Sequence, residues 1–151
     1  MIGDVHAEDM LLERAVQFFN ATLLDRVVCT GDIADGKGSV DRCCELLATE
    51  KVHVVRGNHD RWILNNEMRI LPDATRRSEL KEESLNFLSG LPATIEIKTE
   101  IGKLLLCHGL GTDDMAQIHP DDYGYALDSN NSLQQLIESS QYRLIVNGHS
   151  H

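Results

Sequence analysis

At 151 residues, 42% hydrophobic and 25% charged, the chain has the length and composition of one globular domain with its own core. Its formal net charge of −10 argues against an extended nucleic-acid backbone as partner, because there is no basic stripe to release counterions. No apolar run approaches the ~18 residues of a spanning helix, no basic leader precedes an apolar segment, and Cys29, Cys43, Cys44 and Cys107 make no CxxC pair; the cysteines therefore read as buried thiols of a cytoplasmic protein rather than a zinc finger or disulfide framework.

In chain order, residues 7–22 form the first predicted helix, with Leu12, Val16, Phe19 and Leu23 on one stripe. Val27–Thr30 is a short continuous apolar strand of the kind buried on both faces. After the loop Asp35-Gly36-Lys37-Gly38, Ser39 is placed to cap a helix carrying Val40, Cys43, Cys44 and Leu47 on one face. Val52–Val55 is the next strand. Residues 61–79 are polar and read as loop with a helical turn, and Leu80–Ser89 as a helix stopped by Gly90 with Pro92 beyond. Thr94–Thr99 alternates Ile95 and Ile97 with Glu96 and Lys98, then turns through Glu100-Ile101-Gly102 into Lys103–Cys107, a predicted hairpin. A long polar loop from Gly109 to Asn131, a helix with Leu133, Leu136 and Ile137, and a strand over Arg143–Asn147 complete the chain. Strands alternating with helices, followed by a hairpin, imply an α/β architecture with a mixed sheet.

Five apolar runs in this pattern stop at Gly together with Asp, Asn or His: at Asp4-Val5-His6, Gly31-Asp32, Gly57-Asn58-His59-Asp60, Cys107-His108-Gly109 and Gly148-His149-Ser150-His151. In open α/β sheets ligands sit beyond the carboxyl ends of strands, which is where all five motifs fall. If extended geometry persists past the strands, Asp4 and His6 face one side, as do His149 and His151. With Asp32, Asn58 and His108 these make seven oxygen and nitrogen donors without thiolate, a set suited to two divalent ions, Mn²⁺, Fe or Zn²⁺, sharing a carboxylate. His53, with no motif around it, reads as structural, His119 as a loop residue, and Trp62 as a core or rim anchor. Tyr123 and Tyr125 read as packed loop, and Arg56 and Arg61 as surface ion-pair residues.

The order and content of these five motifs, from residue 3 to the last residue, resemble the signature of the calcineurin-like metallophosphoesterases. The resemblance implies a β-sandwich of mixed sheets flanked by helices, and hydrolysis of a small phosphomonoester or phosphodiester by a hydroxide that two metals activate. By similarity Asp4, His6 and His151 would bind the first metal, and Asn58, His108 and His149 the second, with Asp32 bridging. His59 would act as general acid on the leaving-group oxygen or clamp a phosphoryl oxygen, and Asp60 would orient it and fix its tautomer. Protein phosphatases of this superfamily carry Arg after the second motif's final Asp; here Asp35 is followed by Gly36-Lys37, which argues against a phosphoprotein substrate. A non-catalytic relative using the same fold to bind a protein, and a truncated, inactive product, are the rival readings. The expected domain spans 1–151, truncated at both ends, with its second sheet incomplete at the C-terminus. No membrane partner is expected.

Overall fold

The computed structural model describes residues 1–50 and 52–150. Two small sheets organise it. In the first, β1 (Val27–Cys29) lies parallel to β2 (Val52–Val54), with Val28 opposite His53. Ile2 extends this sheet by one parallel bridge to Cys29, its N–H donating to Val28 O and its carbonyl accepting from Thr30. The second sheet has the order β3-β4-β5: β3 (Thr94–Thr99) and β4 (Gly102–Cys107) are antiparallel, while β5 (Leu144–Val146) runs parallel to β4. The predicted hairpin and mixed sheet are both present. His108 ties the sheets together, its Nδ1 lying 2.7 Å from Thr30 O at the end of β1.

Helices α1 (Asp9–Asn20), α2 (Val40–Thr49), α3 (Asn58–Asn65) and α4 (Glu82–Gly90) accompany the first sheet. Leu12 and Val16 of α1, and Val40, Cys43, Cys44 and Leu47 of α2, enter one core with Ile2, Cys29, Ile33, Ile63 and Leu88. The predicted face of α2 is therefore the buried one, and Ser39 Oγ accepts the Arg42 N–H at 3.1 Å as its cap. Leu23 leaves the expected stripe because α1 ends at Asn20 and residue 23 is fully exposed.

The larger departure is α3. The sequence reads as loop through this region, yet the helix starts at Asn58, directly after Gly57. Polar Asn58, His59 and Asp60 mask an N-terminal signal: Asp60, third in the helix, accepts the Gly57 N–H at 2.9 Å, as an acidic residue in a helix's first turn is placed to do. Buried Ile63 anchors the other side. A 3₁₀ turn at Arg77–Glu79 precedes α4, and a short helix α5 (Tyr125–Asp128) interrupts the expected loop before α6 (Asn131–Ser139). No helix among the described residues is long and apolar enough to cross a membrane.

Candidate metal centre

The Asp32 carboxylate, 1% exposed, is the centre of the site. It stands just past β1 in a segment whose backbone is forced into the left-handed region at Gly31, Asp32, Asp35 and Gly36. Asp tolerates that conformation better than most residues, and such strain tends to collect where side chains must be aimed. His6, Ala7 and His149 are also left-handed, so five of the nine non-glycine residues of this kind among those described belong to the site or adjoin it. The expectation that extended geometry carries Asp4 and His6 onto one side is corrected here. At φ 42° His6 turns out of the strand, and its Nε2 lies 3.8 Å from Asp32 Oδ2. Asp4 Oδ1 instead accepts the His149 N–H at 3.2 Å and sits 3.6 Å from His108 Nδ1.

Asp32 Oδ1 accepts the backbone N–H of His59 at 2.9 Å, which sets an anion at the N-terminus of α3 where the helix dipole favours it. On its other side, Oδ2 is 3.3 Å from His108 Nε2, which in turn is 2.8 Å from Asn58 Oδ1. A carbonyl can only accept, so the bond to Thr30 O places a proton on His108 Nδ1 and turns Nε2 into the site, where it faces the acceptors Asn58 Oδ1 and Asp32 Oδ2. This is the arrangement that orients an imidazole ligand. Burial alone would raise the Asp32 pKa, but His108 and then His59 outweigh it and hold the carboxyl below its ordinary range. Burial would lower the His108 pKa; the Asp32 carboxylate overrides it and raises it.

Ligand atoms of Asp32, His108 and His149 lie within 4.8 Å of one another, and so do those of Asp32, His6 and His59. His149 Nε2 is buried with no hydrogen-bond partner, and its pKa is lowered by burial and by neighbouring His108. A buried, neutral, unpartnered imidazole nitrogen beside a carboxylate and a second imidazole fits a divalent cation. Burial also holds the four thiols protonated, Cys29 being pushed up to about 12, so the donor set is oxygen and nitrogen. His151, expected as a ligand of the first metal, lies outside the described residues.

His59 stands closer to the cluster than expected: its ring meets that of His6 edge-on at 4.8 Å and rests against Trp62 at 4.6 Å. Its orientation corrects the sequence reading. The carboxylate that reaches the ring is Asp35, with Oδ2 2.7 Å from His59 Nδ1, and not Asp60. The Asp60 side chain points away to accept N–H bonds from Ile33 (2.8 Å), Ala34 (2.9 Å) and Gly57 (2.9 Å). Asp60 thus staples the Asp32 loop to α3. Burial, then the Asp32 charge, push its carboxyl up to about 7 against those three bonds. Asp35 is held down at about 2: burial opposes this, but His59, Arg69 and the Thr75 N–H prevail. Burial would lower the His59 pKa, and the Asp35 bond with the Asp32 charge raises it instead. Asp35 was visible only as the end of the second motif; Arg69, which also binds it, had no signal in the sequence. Arg61 forms the expected ion pair, with Asp114 at 2.7 Å, and His53 is a structural residue, 3.2 Å from Arg26 Nη1.

Strand ends of two sheets deliver carboxylate, imidazole and amide groups to one buried carboxylate, a candidate metal centre on an α/β fold. The chain belongs to the calcineurin-like phosphoesterase superfamily, whose domain matches residues 1–151. A curated relative, an uncharacterised protein of Methanocaldococcus jannaschii, is 25% identical over 115 residues, 72% of this chain and 47% of its own length. The chain therefore spans about half of that relative. Among solved structures, a hypothetical protein of Pyrococcus horikoshii superposes with a TM-score of 0.65 at 17% identity, over 97% of this chain and 65% of its own. A structure described as that of a novel archaeal phosphodiesterase gives 0.54 at 18% identity, over 99% and 71%. Both share the fold.

Proposed function

We propose that the chain hydrolyses a small phosphomonoester or phosphodiester with the help of two divalent cations. The observation that carries this reading is that one buried carboxylate, Asp32, gathers imidazoles from three strand ends: the ligand atoms of His108 and His149 lie within 4.8 Å of its own, and His6 Nε2 lies 3.8 Å from its Oδ2. In the proposed assignment Asp32 serves both ions, Asp4, His6 and His151 complete the first, and Asn58, His108 and His149 the second, with Mn²⁺, Fe or Zn²⁺ as candidates. Bound there, the ions would neutralise phosphoryl oxygens and lower the pKa of a water molecule towards neutrality.

The protein's own groups supply the rest. His59 carries a proton at Nδ1 towards Asp35, leaving Nε2 as the ring position that faces a substrate. A general acid needs a second proton there for the leaving-group oxygen; burial opposes it, while the Asp35 bond and the Asp32 charge favour it. The His108 bond to Thr30 O keeps Nε2 as its ligand atom. Trp62 rests against the His59 ring, with centroids 4.6 Å apart.

The test is turnover of p-nitrophenyl phosphate and bis(p-nitrophenyl) phosphate with Mn²⁺, alongside elemental analysis of bound metal. The likeness to an archaeal phosphodiesterase is the reason for including the diester. Asp32→Asn should lower turnover at least about 100-fold, because it weakens both ions at once. Equal turnover in wild type and Asp32→Asn disposes of the reading.

A further inference from the structure

The segment after α3 has no role in the proposed metal chemistry, yet it reaches the site through Arg69. This side chain is 13% exposed and forms a fork on Asp35, Nη1 to Oδ1 at 2.7 Å and Nη2 to Oδ2 at 3.0 Å. Nη1 also donates to Thr75 O at 2.8 Å, and Nε to Glu67 O. Thr75 returns the contact, its N–H donating to Asp35 Oδ1 at 2.9 Å. All three guanidinium nitrogens are therefore used, and both Asp35 oxygens are pinned. Asp35 is itself 4% exposed and left-handed, φ 67°, a conformation that needs outside support in a residue other than glycine. The segment carries three more such residues, Asn66, Met68 and Asp73, and Gly36 is bonded to it through Asp73 O at 3.0 Å. Its shape is thus imposed by contacts, and the Arg69 fork is their hub.

We infer that Arg69 is a positioning residue: by clamping both oxygens of Asp35 it fixes the carboxylate that aims the His59 ring at the leaving group. The chemistry of this inference rests on the phosphoesterase reading; the geometry does not. A lysine supplies charge without the fork, so it substitutes only in part. Thr75 N–H alone leaves Oδ2 free to rotate away from His59, and the ring then loses the acceptor that sets both its tautomer and its direction.

The experiment uses the full chain with Mn²⁺ and compares Arg69→Met, Arg69→Lys and the same-segment control Arg77→Met on two diesters, one releasing p-nitrophenol and one releasing an alcohol. A phenolate departs without help, whereas an alkoxide needs a proton from His59. Arg69→Met should lose at least about tenfold in kcat on the alkyl ester, with little change on the nitrophenyl ester and in KM. Arg69→Lys should fall between, and added guanidinium should restore part of the alkyl-ester rate. A second readout needs no turnover: the His59 Nδ1–H proton, assigned by its disappearance in His59→Gln, should exchange with solvent at least about tenfold faster in Arg69→Met than in wild type or Arg77→Met. Equal losses on both esters, or an unchanged exchange rate, overturn the inference. Should wild type turn over no phosphoester at all, the functional reading fails while the exchange rate still decides whether Arg69 positions the ring.

Discussion

Asp35 and Asp60 are both buried but differ in their partners: Asp35 meets the His59 ring and the Arg69 guanidinium, whereas Asp60 accepts backbone N–H groups only. Asp35 has cationic partners on both oxygens, and its carboxyl ionises at about 2 against the ordinary 3.8. A folded-state value below the unfolded one contributes stability that is present above pH 3.8 and is lost as pH falls through about 2. The contribution is on the order of 2 kcal/mol. Asp35→Asn removes the charge while keeping the shape. The expected outcome in urea titrations between pH 2 and 6 is a wild-type midpoint that falls steeply below pH 4 and an Asp35→Asn midpoint that falls less over the same interval. Parallel curves would show that the Arg69 and His59 contacts do not favour the ionised carboxylate.

At the scale of elements, the decisive joint is the entry to α3. Gly57 passes so close to Asp32 that a Cβ built there would collide with its carboxylate and its backbone nitrogen. Gly57→Ala should therefore destabilise by about 2 kcal/mol, as overpacking does, and shift Asp32 out of register with His108. Gly90, at the end of α4, has open space around it, so Gly90→Ala should be neutral or slightly stabilising. Thermal melts with bound-metal analysis check the pair; equal effects of the two substitutions would mean that close approach at Gly57 is unimportant. The same joint marks the limit of what the sequence made legible. The α2 face, the Ser39 cap and the β3–β4 hairpin follow from local period and turn chemistry, so they were readable. The motif positions were readable too, because glycine beside a polar donor at a strand end has few other uses. What the linear chain concealed was which carboxylate meets which ring. Asp60 is adjacent to His59, but helix α3 turns successive side chains about 100° apart and carries Asp60 into the core. The partner of His59 is 24 residues away, and the Arg69 that steadies it is 34 residues from Asp35. Left-handed backbone at His6 likewise breaks the alternation on which pairing it with Asp4 depended.

Over the whole molecule, the candidate centre lies on the seam between the sheets. Asp4, His6, Asp32, Asn58 and His59 come from the β1–β2 side, and His108 and His149 follow β4 and β5. Polar contacts cross this seam from His108 to Thr30 O and Asn58, from the His149 N–H to Asp4, and from Arg61 to Asp114. Cations held by groups from both sides would act as crosslinks present only in the folded state, since the donors are scattered along the unfolded chain. Such linkage stabilises by about 2.7 kcal/mol at a ligand concentration 100 times its dissociation constant. In a chain of this size that corresponds to a rise of roughly 5–10 °C in Tm. Saturating Mn²⁺ is accordingly expected to raise Tm by that amount, and a chelator to reverse it. The effect should be larger at pH 8 than at pH 6, because imidazoles must lose their protons to bind metal. His149→Ala should weaken the response without abolishing the fold, since it removes a nitrogen that has no hydrogen-bond partner to lose. Melts that are identical with Mn²⁺ and with chelator at pH 8 would mean that the donors gathered at the seam do not bind the ion, and would remove the physical basis for a metal-dependent hydrolase.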